Sequence, residues 1–404
     1  MALELNKLTG QVEVMGLAGA RRSQAQREQI ARAKEILART PLVTAELRAK
    51  IKRARDIDQW RRGALPLGDR LDDRHQVSQA ITQATLIAAD GSQIYPDRHG
   101  IATYYLLNTG VIVLRLGSGQ APAVDSTPEV FFRDEDLYDA EGQIRPPEHI
   151  NAQRARREIQ ALADRAEAER EALAGDLTVP IICLTDGPLL PWQKQDAEHD
   201  EPIAEEMDFF VQQIGRLRRA RAAPVGYVDR PSSAYVLRIL ELIDQPIEQI
   251  TRETLRRGPF RLLADRFLFD DLRPNERSGL FTPNSETNDR YERASAGDRI
   301  VFAYANFARQ TGADYSVIVR IEVPKWVADE PALLDAAQAA IYANCVPRPY
   351  PYELAQAHEL ALVSATERAG FEMMLEQVML RHGLTPTVSE KAGLKSLTGA
   401  RKGR

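Results

Sequence analysis

Two aspartates in this chain share one setting, a short apolar run that ends in Asp-Gly. The first run is Thr85-Leu86-Ile87-Ala88-Ala89-Asp90-Gly91-Ser92, and the second is Val179-Pro180-Ile181-Ile182-Cys183-Leu184-Thr185-Asp186-Gly187. Apolar runs of this length read as buried strands, and the glycine lets the backbone turn where the carboxylate emerges. Both acids are therefore expected at the carboxyl ends of strands, the rim where open α/β sheets bind ligands. Carboxylates brought together there repel unless a proton or a divalent cation lies between them. Hard cations such as Mg²⁺ and Mn²⁺ take oxygen ligands, and two of them about 4 Å apart can activate a water and stabilise the leaving oxygen of a phosphodiester.

Two aspartates rarely suffice for that chemistry, so a third acid is sought on the long polar helix expected over residues 147–174. Glu158 follows Arg154 by four residues, which places both on one helix face. The arginine could contact a phosphate while the glutamate holds metal; Glu167, Glu169 and Glu171 are alternatives further along. Near the end comes Tyr350-Pro351-Tyr352-Glu353-Leu354-Ala355-Gln356-Ala357-His358. Pro351 suits a helix start, and His358, two turns in, could ligate Mn²⁺ or pass a proton to a leaving group. Each feature also has a plainer reading, as a turn, a solvated acid or a hydrogen-bonded structural histidine.

The elements that must position these groups follow from periodicity. Residues 20–62 read as an amphipathic helical arm. Strands begin at Thr85, and runs at 101–108 and 111–116 joined by Thr109-Gly110 suggest a hairpin. After the helix at 147–174 come the strand ending at Asp186, a helix at 203–222, a strand at 224–229 and a helix at 234–257. Three meandering strands, then helix, strand, helix, strand, helix is the order of an α/β, ribonuclease H-like core, a mixed sheet flanked by helices. Its first and fourth strands lie side by side, which would bring Asp90 and Asp186 together. Beyond Pro259, short β or loop pieces at 266–271 and 279–283, strands at 298–305 and 316–323, and helices from Pro331 and Glu353 add to this core. The expected division is a helical arm over 1–80, a nuclease-type domain over 81–385 and a basic, disordered tail over 386–404.

The chain has 404 residues and a net charge of −5, so global attraction to nucleic acid is not the default. Polyanion contact would have to come from local clusters such as Arg154, Arg156 and Arg157, or Arg216, Arg218, Arg219 and Arg221. Two cysteines, Cys183 and Cys345, exclude a disulfide framework or a cysteine-rich zinc site. With no signal peptide and no membrane-spanning run, a soluble cytoplasmic protein is expected.

Several ordered segments resemble the NurA nuclease family, the partner of HerA-type hexameric ATPases. They are Ala89-Asp90-Gly91-Ser92, Thr185-Asp186-Gly187-Pro188-Leu189, Val225-Gly226-Tyr227-Val228, Arg277-Ser278-Gly279-Leu280-Phe281, Arg320-Ile321-Glu322-Val323-Pro324 and the segment ending at His358. The resemblance implies a ribonuclease H-like core, a ring-shaped homodimer and Mn²⁺-dependent cleavage of DNA, chiefly 5′ to 3′ exonuclease with some single-strand endonuclease activity. Carried over by position, Asp90, Glu158, Asp186 and His358 would hold two Mn²⁺ or Mg²⁺ ions, and Tyr350 would position substrate. Family members often carry lysine before the arginine that follows Gly-Tyr-Val, whereas this chain has Asp229 before Arg230, leaving Arg154 and Arg230 as the phosphate contacts. The expectation is a metal-dependent deoxyribonuclease acting on single strands and duplex ends with a HerA-type ATPase in end resection, repair or defence. The rivals are a catalytically inactive adaptor that binds DNA or the ATPase, and a hydrolase of the same fold acting on RNA or a small phosphoester.

Overall fold

The computed structural model describes residues 5–58, 63–78, 80–97, 102–190, 201–309 and 316–384. In chain order the elements are α1 (Thr9–Arg39), α2 (Ala45–Ile57), β1 (Ala64–Pro66), β2 (Arg74–Gln76), β3 (Ala84–Ile94), β4 (Tyr105–Leu116), β5 (Ala123–Phe131), α3 (Asp134–Leu137), α4 (Pro147–Ala172), β6 (Ile181–Asp186), α5 (Glu201–Arg219) and β7 (Ala222–Val228). Then follow α6 (Leu237–Ile243), α7 (Arg252–Arg256), β8 (Glu276–Ser278), β9 (Phe281–Pro283), α8 (Glu286–Ala294), β10 (Ile300–Asn306), β11 (Ile318–Pro324), α9 (Lys325–Ala328), α10 (Pro331–Asn344), α11 (Tyr352–Ala361) and α12 (Ala365–Arg381). Packing divides the chain into two compact units. One comprises Thr82–Asp186, Asp200–Pro224 and Pro351–Arg404; the other comprises Met1–Ile81, Gly187–His199 and Val225–Tyr350.

In the first unit the strand order is β6-β3-β4-β5, with β4 antiparallel to β3 and β5, and β6 parallel to β3. This is the ribonuclease H-like order expected from the sequence, a mixed sheet flanked by helices. The hairpin expected at Thr109-Gly110 is absent: β4 runs as one 12-residue strand through both residues. Gly110 is there for close approach, because a Cβ on it would stand 2.5 Å from Ala361 N and 2.6 Å from Ala357 O of α11. The third strand is instead β5, whose polar sequence conceals it because it is an exposed edge.

Strand residues alternate between faces, and the contacts of β3 and β4 sort cleanly by that rule. Asn108 and Ser92, partners in register, both bond the Ala361 carbonyl, so they face α11 with Asp90 and Gly110. Gly91 faces the other way, as does Arg115, which donates two hydrogen bonds to Glu169 of α4 at 2.8 and 2.6 Å. Helices α4 and α11 therefore cover opposite faces of β3. Helix α4 begins at Pro147, whose missing N–H costs nothing at that position. It buries Ile150, Ile159, Leu162, Ala163 and Ala166.

In the second unit the order is β1-β9-β10-β11 followed by the end of β7, all antiparallel, with β8 bridging β2 and β10. The arm is two helices rather than one. Helix α1 ends at Arg39, before Pro41, and Thr44 caps α2 by accepting the Leu47 amide at 3.1 Å. Ala33, Ile36 and Leu37 of α1 and Leu47, Ile51 and Ala54 of α2 join one core with α6, Phe281 and Phe302. The arm thus packs within this unit, whose first segment ends at Ile81. The helix expected at 234–257 is α6 and α7, separated around Pro246, and residues 265–267 of the expected piece at 266–271 form a short 3-10 turn. The expected tail at 386–404 lies outside the described residues. Among the described residues no helix is long and apolar enough to cross a membrane.

The seating of α11 on Gly110 is directly testable. Gly110→Ala forces backbone against backbone and should lower unfolding stability by about 1–3 kcal/mol, the usual cost of overpacking. A denaturant midpoint equal to that of the parent chain would show that α11 does not rest there.

Candidate active site

The register Ala88↔Leu184 between β3 and β6 sets Asp90 and Asp186, each two residues further on, level with one another on neighbouring parallel strands; β6 ends at Asp186, whereas β3 runs on through Gly91 to Ile94, paired with β4, so Asp90 lies within its strand and the turn expected at Asp90-Gly91 is absent. Asp186 closes β6, and the chain leaves through Gly187 at φ +121, a conformation that side chains disfavour. Asp90 Oδ1 accepts the Gly91 amide at 2.8 Å, and its Oδ2 lies 2.7 Å from His358 Nδ1. His358 is 67% exposed and presents its other ring nitrogen away from Asp90. Its helix is held in place by Ser92 and Asn108, which grip the Ala361 carbonyl one turn further on.

Glu158 arrives from the other face. A Cβ on Gly91 would stand 2.7 Å from Glu158 Oε1 and 2.6 Å from Arg154 Cγ, so only glycine lets α4 lay both side chains against β3 here. Arg154 Nε is 3.2 Å from Glu158 Oε1, although neither atom makes a hydrogen bond. Burial pushes the Glu158 carboxyl up to about 8; Arg154 and the Gly91 amide pull it down, while Asp90 and Asp186 push it further up. Of the three alternatives on α4, two are engaged elsewhere, Glu167 with Arg216 and Glu169 with Arg115.

The structure thus brings Asp90, Glu158, Asp186, His358 and Arg154 into one region of one unit. Tyr350 and Arg230 belong to the other unit. The Tyr350 ring meets Tyr227 edge-on at 5.6 Å, and the Arg230 carbonyl accepts from Arg266 at 3.4 Å. Sequence reasoning missed a polar string beside Arg154. Arg154 Nη1 donates to Gln93 Oε1 at 3.0 Å, Gln93 donates to Tyr95 Oη at 3.0 Å, and Tyr95 donates to Asn151 at 2.7 Å. The signal was present in part, since Gln93 shares the face of Gly91 on β3 and Tyr95 directly follows the strand.

An all-oxygen set with one imidazole suits a hard divalent cation, and the buried Glu158 Oε1 without a hydrogen bond is the kind of atom such an ion would satisfy. Among the described residues, however, no group of three His, Cys, Asp or Glu side chains is placed to hold a metal ion. Asp90 leaves β3 on the α11 face, whereas Glu158 reaches the strand from α4 on the other face, against Gly91. The donor types suit such an ion; their placement does not gather three of them around one point.

Comparison with known proteins follows this geometry. The NurA domain family model matches residues 84–363. The chain belongs to the NurA family. The crystal structure of the NurA nuclease from Sulfolobus solfataricus aligns with a TM-score of 0.46 at 11% identity, covering 76% of this chain and 88% of that one. The catalytic domain of human Endonuclease V aligns with a TM-score of 0.31 at 12% identity, covering 82% and 99%. No curated protein matches the sequence. The matched residues of this NurA domain contain Asp90, Glu158, Asp186 and His358.

The raised Glu158 value has a signed consequence for stability. The folded chain holds this proton more tightly than a free carboxyl of 4.5 would, so the contribution is complete below about pH 4.5 and is lost as pH rises through about 8. Glu353 is fully buried, and burial pushes it up to about 7, so it contributes in an overlapping window. Comparison with Glu158→Gln isolates the first group. The melting temperature of the parent should fall relative to this variant between pH 5 and pH 9, windows set by those values. Parallel pH profiles would refute the placement of Glu158.

Proposed function

We propose that this NurA-family chain is a metal-dependent nuclease that hydrolyses DNA phosphodiester bonds at single strands and duplex ends. The observation that carries the reading is the level placement of Asp90 and Asp186 on neighbouring parallel strands, with the charge of each raising the proton affinity of Glu158. Two Mn²⁺ or Mg²⁺ ions, when bound, would lower the pKa of a water and neutralise the departing 3′ oxygen.

The chain's own residues account for the rest. Asp90, Asp186 and Glu158 supply the oxygens, and Glu158 must surrender its proton to do so. His358 has Nδ1 committed to Asp90, so Nε2 is the nitrogen that can ligate an ion or pass a proton to the leaving group. Arg154, oriented by Gln93, binds backbone phosphate without reading sequence; Arg230 is the second phosphate contact, and Tyr350 positions substrate. The family likeness extends the reading to a homodimer, a 5′ to 3′ polarity, a HerA-type hexameric ATPase as partner, and action in the cytoplasm on DNA ends in resection, repair or defence.

Asp90→Ala should reduce Mn²⁺-dependent digestion of end-labelled linear DNA to background while circular dichroism stays that of the parent. Digestion at the parental rate would refute the assignment. Release of nucleotides from RNA but not DNA would move the substrate class.

A further inference from the structure

Within the unit that carries Glu158, helix α4 and the exposed edge strand β5 leave a groove of about 310 Å³ between them. Two ion pairs bridge it. Arg157 Nη2 donates to Glu129 Oε2 at 2.9 Å, and Arg165 Nη2 donates to Asp125 Oδ2 at 2.6 Å. The arginines are two helical turns apart, about 12 Å along α4, and their acids are four residues apart, about 13 Å along β5. The two crossings therefore line up and bound the space between them. Half-exposed pairs add little to stability; their effect here is to close the groove at both ends.

The floor is Thr109 and Val111 of β4, each 6% exposed, and Thr127, Gln160 and Ala161 line the sides. Among the described residues, the side chains of Thr109, Thr127 and Gln160 make no hydrogen bond to the rest of the chain, and Arg157 Nε is buried and unbonded. On the opposite face of the same strands the polar groups are used up: Ser126 donates to Asn108 at 2.9 Å, and Asn108 donates to the Ala361 carbonyl at 2.8 Å. Donors and acceptors are thus gathered, unspent, on the α4 face alone.

Charge decides what suits the space. Each bridging arginine is matched by its acid, and Asp164, the third acid at the groove, lies 2.7 Å from Arg216. No surplus positive charge is left for a phosphate. A planar, uncharged group fits instead, with donors and acceptors on its edge for the hydroxyls and Gln160, and ring faces for Val111 and Ala161. A nucleobase is such a group, and glutamine pairs with a base edge through two hydrogen bonds. The position agrees. Thr109 is the register partner of Gly91, on which Glu158 and Arg154 lie from this same face, and Ala161 is one turn beyond Glu158 on α4.

We propose that this groove is a nucleobase subsite, which takes one unpaired base of the strand whose phosphate meets Arg154. The proposal rests on the nuclease reading above and gives it a reason to act on single strands and ends: a base stacked and paired within a duplex must first be extruded to enter such a site.

The test is binding in EDTA, followed by fluorescence anisotropy with two labelled probes of equal length, a short oligodeoxyadenylate and the same sugar-phosphate chain without bases. The parent should bind the base-bearing probe about tenfold more tightly, the scale of one base contact. Ala161→Leu, which fills the groove from the α4 side, and Thr127→Val combined with Gln160→Ala, which removes its hydrogen-bonding edge, should each erase most of that difference and leave affinity for the abasic probe unchanged. Neither Thr127 nor Gln160 is buried, so the second variant keeps the fold if the first does not. Equal binding of the two probes by the parent, or a preference that survives in both variants, would overturn the subsite and leave the nuclease reading intact. Failure of the parent to bind either probe would also overturn the subsite; only if Mn²⁺-dependent digestion of DNA is missing as well does the nuclease reading fall with it.

Discussion

Repulsion among the carboxylates of Asp90, Glu158 and Asp186 is the constraint around which the rest of the structure is arranged, because three acids at one rim cannot all be charged without compensation. In the chain alone the compensation is a proton on Glu158, a guanidinium beside it and an imidazole on Asp90. Each of these is a weak, exchangeable partner.

Glycine makes the crowding possible. At Gly91 the α4 side chains press where a Cβ would be, and at Gly110 the backbone of α11 does the same on the other face. Two helices can then approach one strand from both sides, and their functional residues reach the rim together. The same device recurs at Gly226, where the turn after Asp186 lies on the strand below it. These are positions where backbone must come within a side chain's width of something else, which is a stronger demand than a turn makes.

That distinction explains what misled the sequence reading. Thr109-Gly110 has the composition of a hairpin turn, and no local property separates it from a glycine serving a helix that follows more than two hundred residues later. Strand β5 was hidden because an edge strand needs no apolar alternation. Sequence favoured Glu158 for its spacing from Arg154 and left Glu167, Glu169 and Glu171 as alternatives; its place against Gly91, with Glu167 and Glu169 bonded to other arginines, comes only from the packing of α4.

By itself the sequence determined the chemistry and the order of elements: which residues are acids, which runs are apolar enough to be buried strands, and that an Asp-Gly closes the strand at Asp186, though not the one that carries Asp90. Those are properties of short stretches, and periodicity and side-chain type report them. Tertiary structure alone decided the register that sets Asp90 level with Asp186, the faces on which Glu158 and His358 arrive, and the burial that raises the Glu158 carboxyl. Each of these depends on desolvation or on contacts between groups far apart in the chain, and electrostatic energy in a buried site is set by distance and solvent exclusion, which no local pattern encodes.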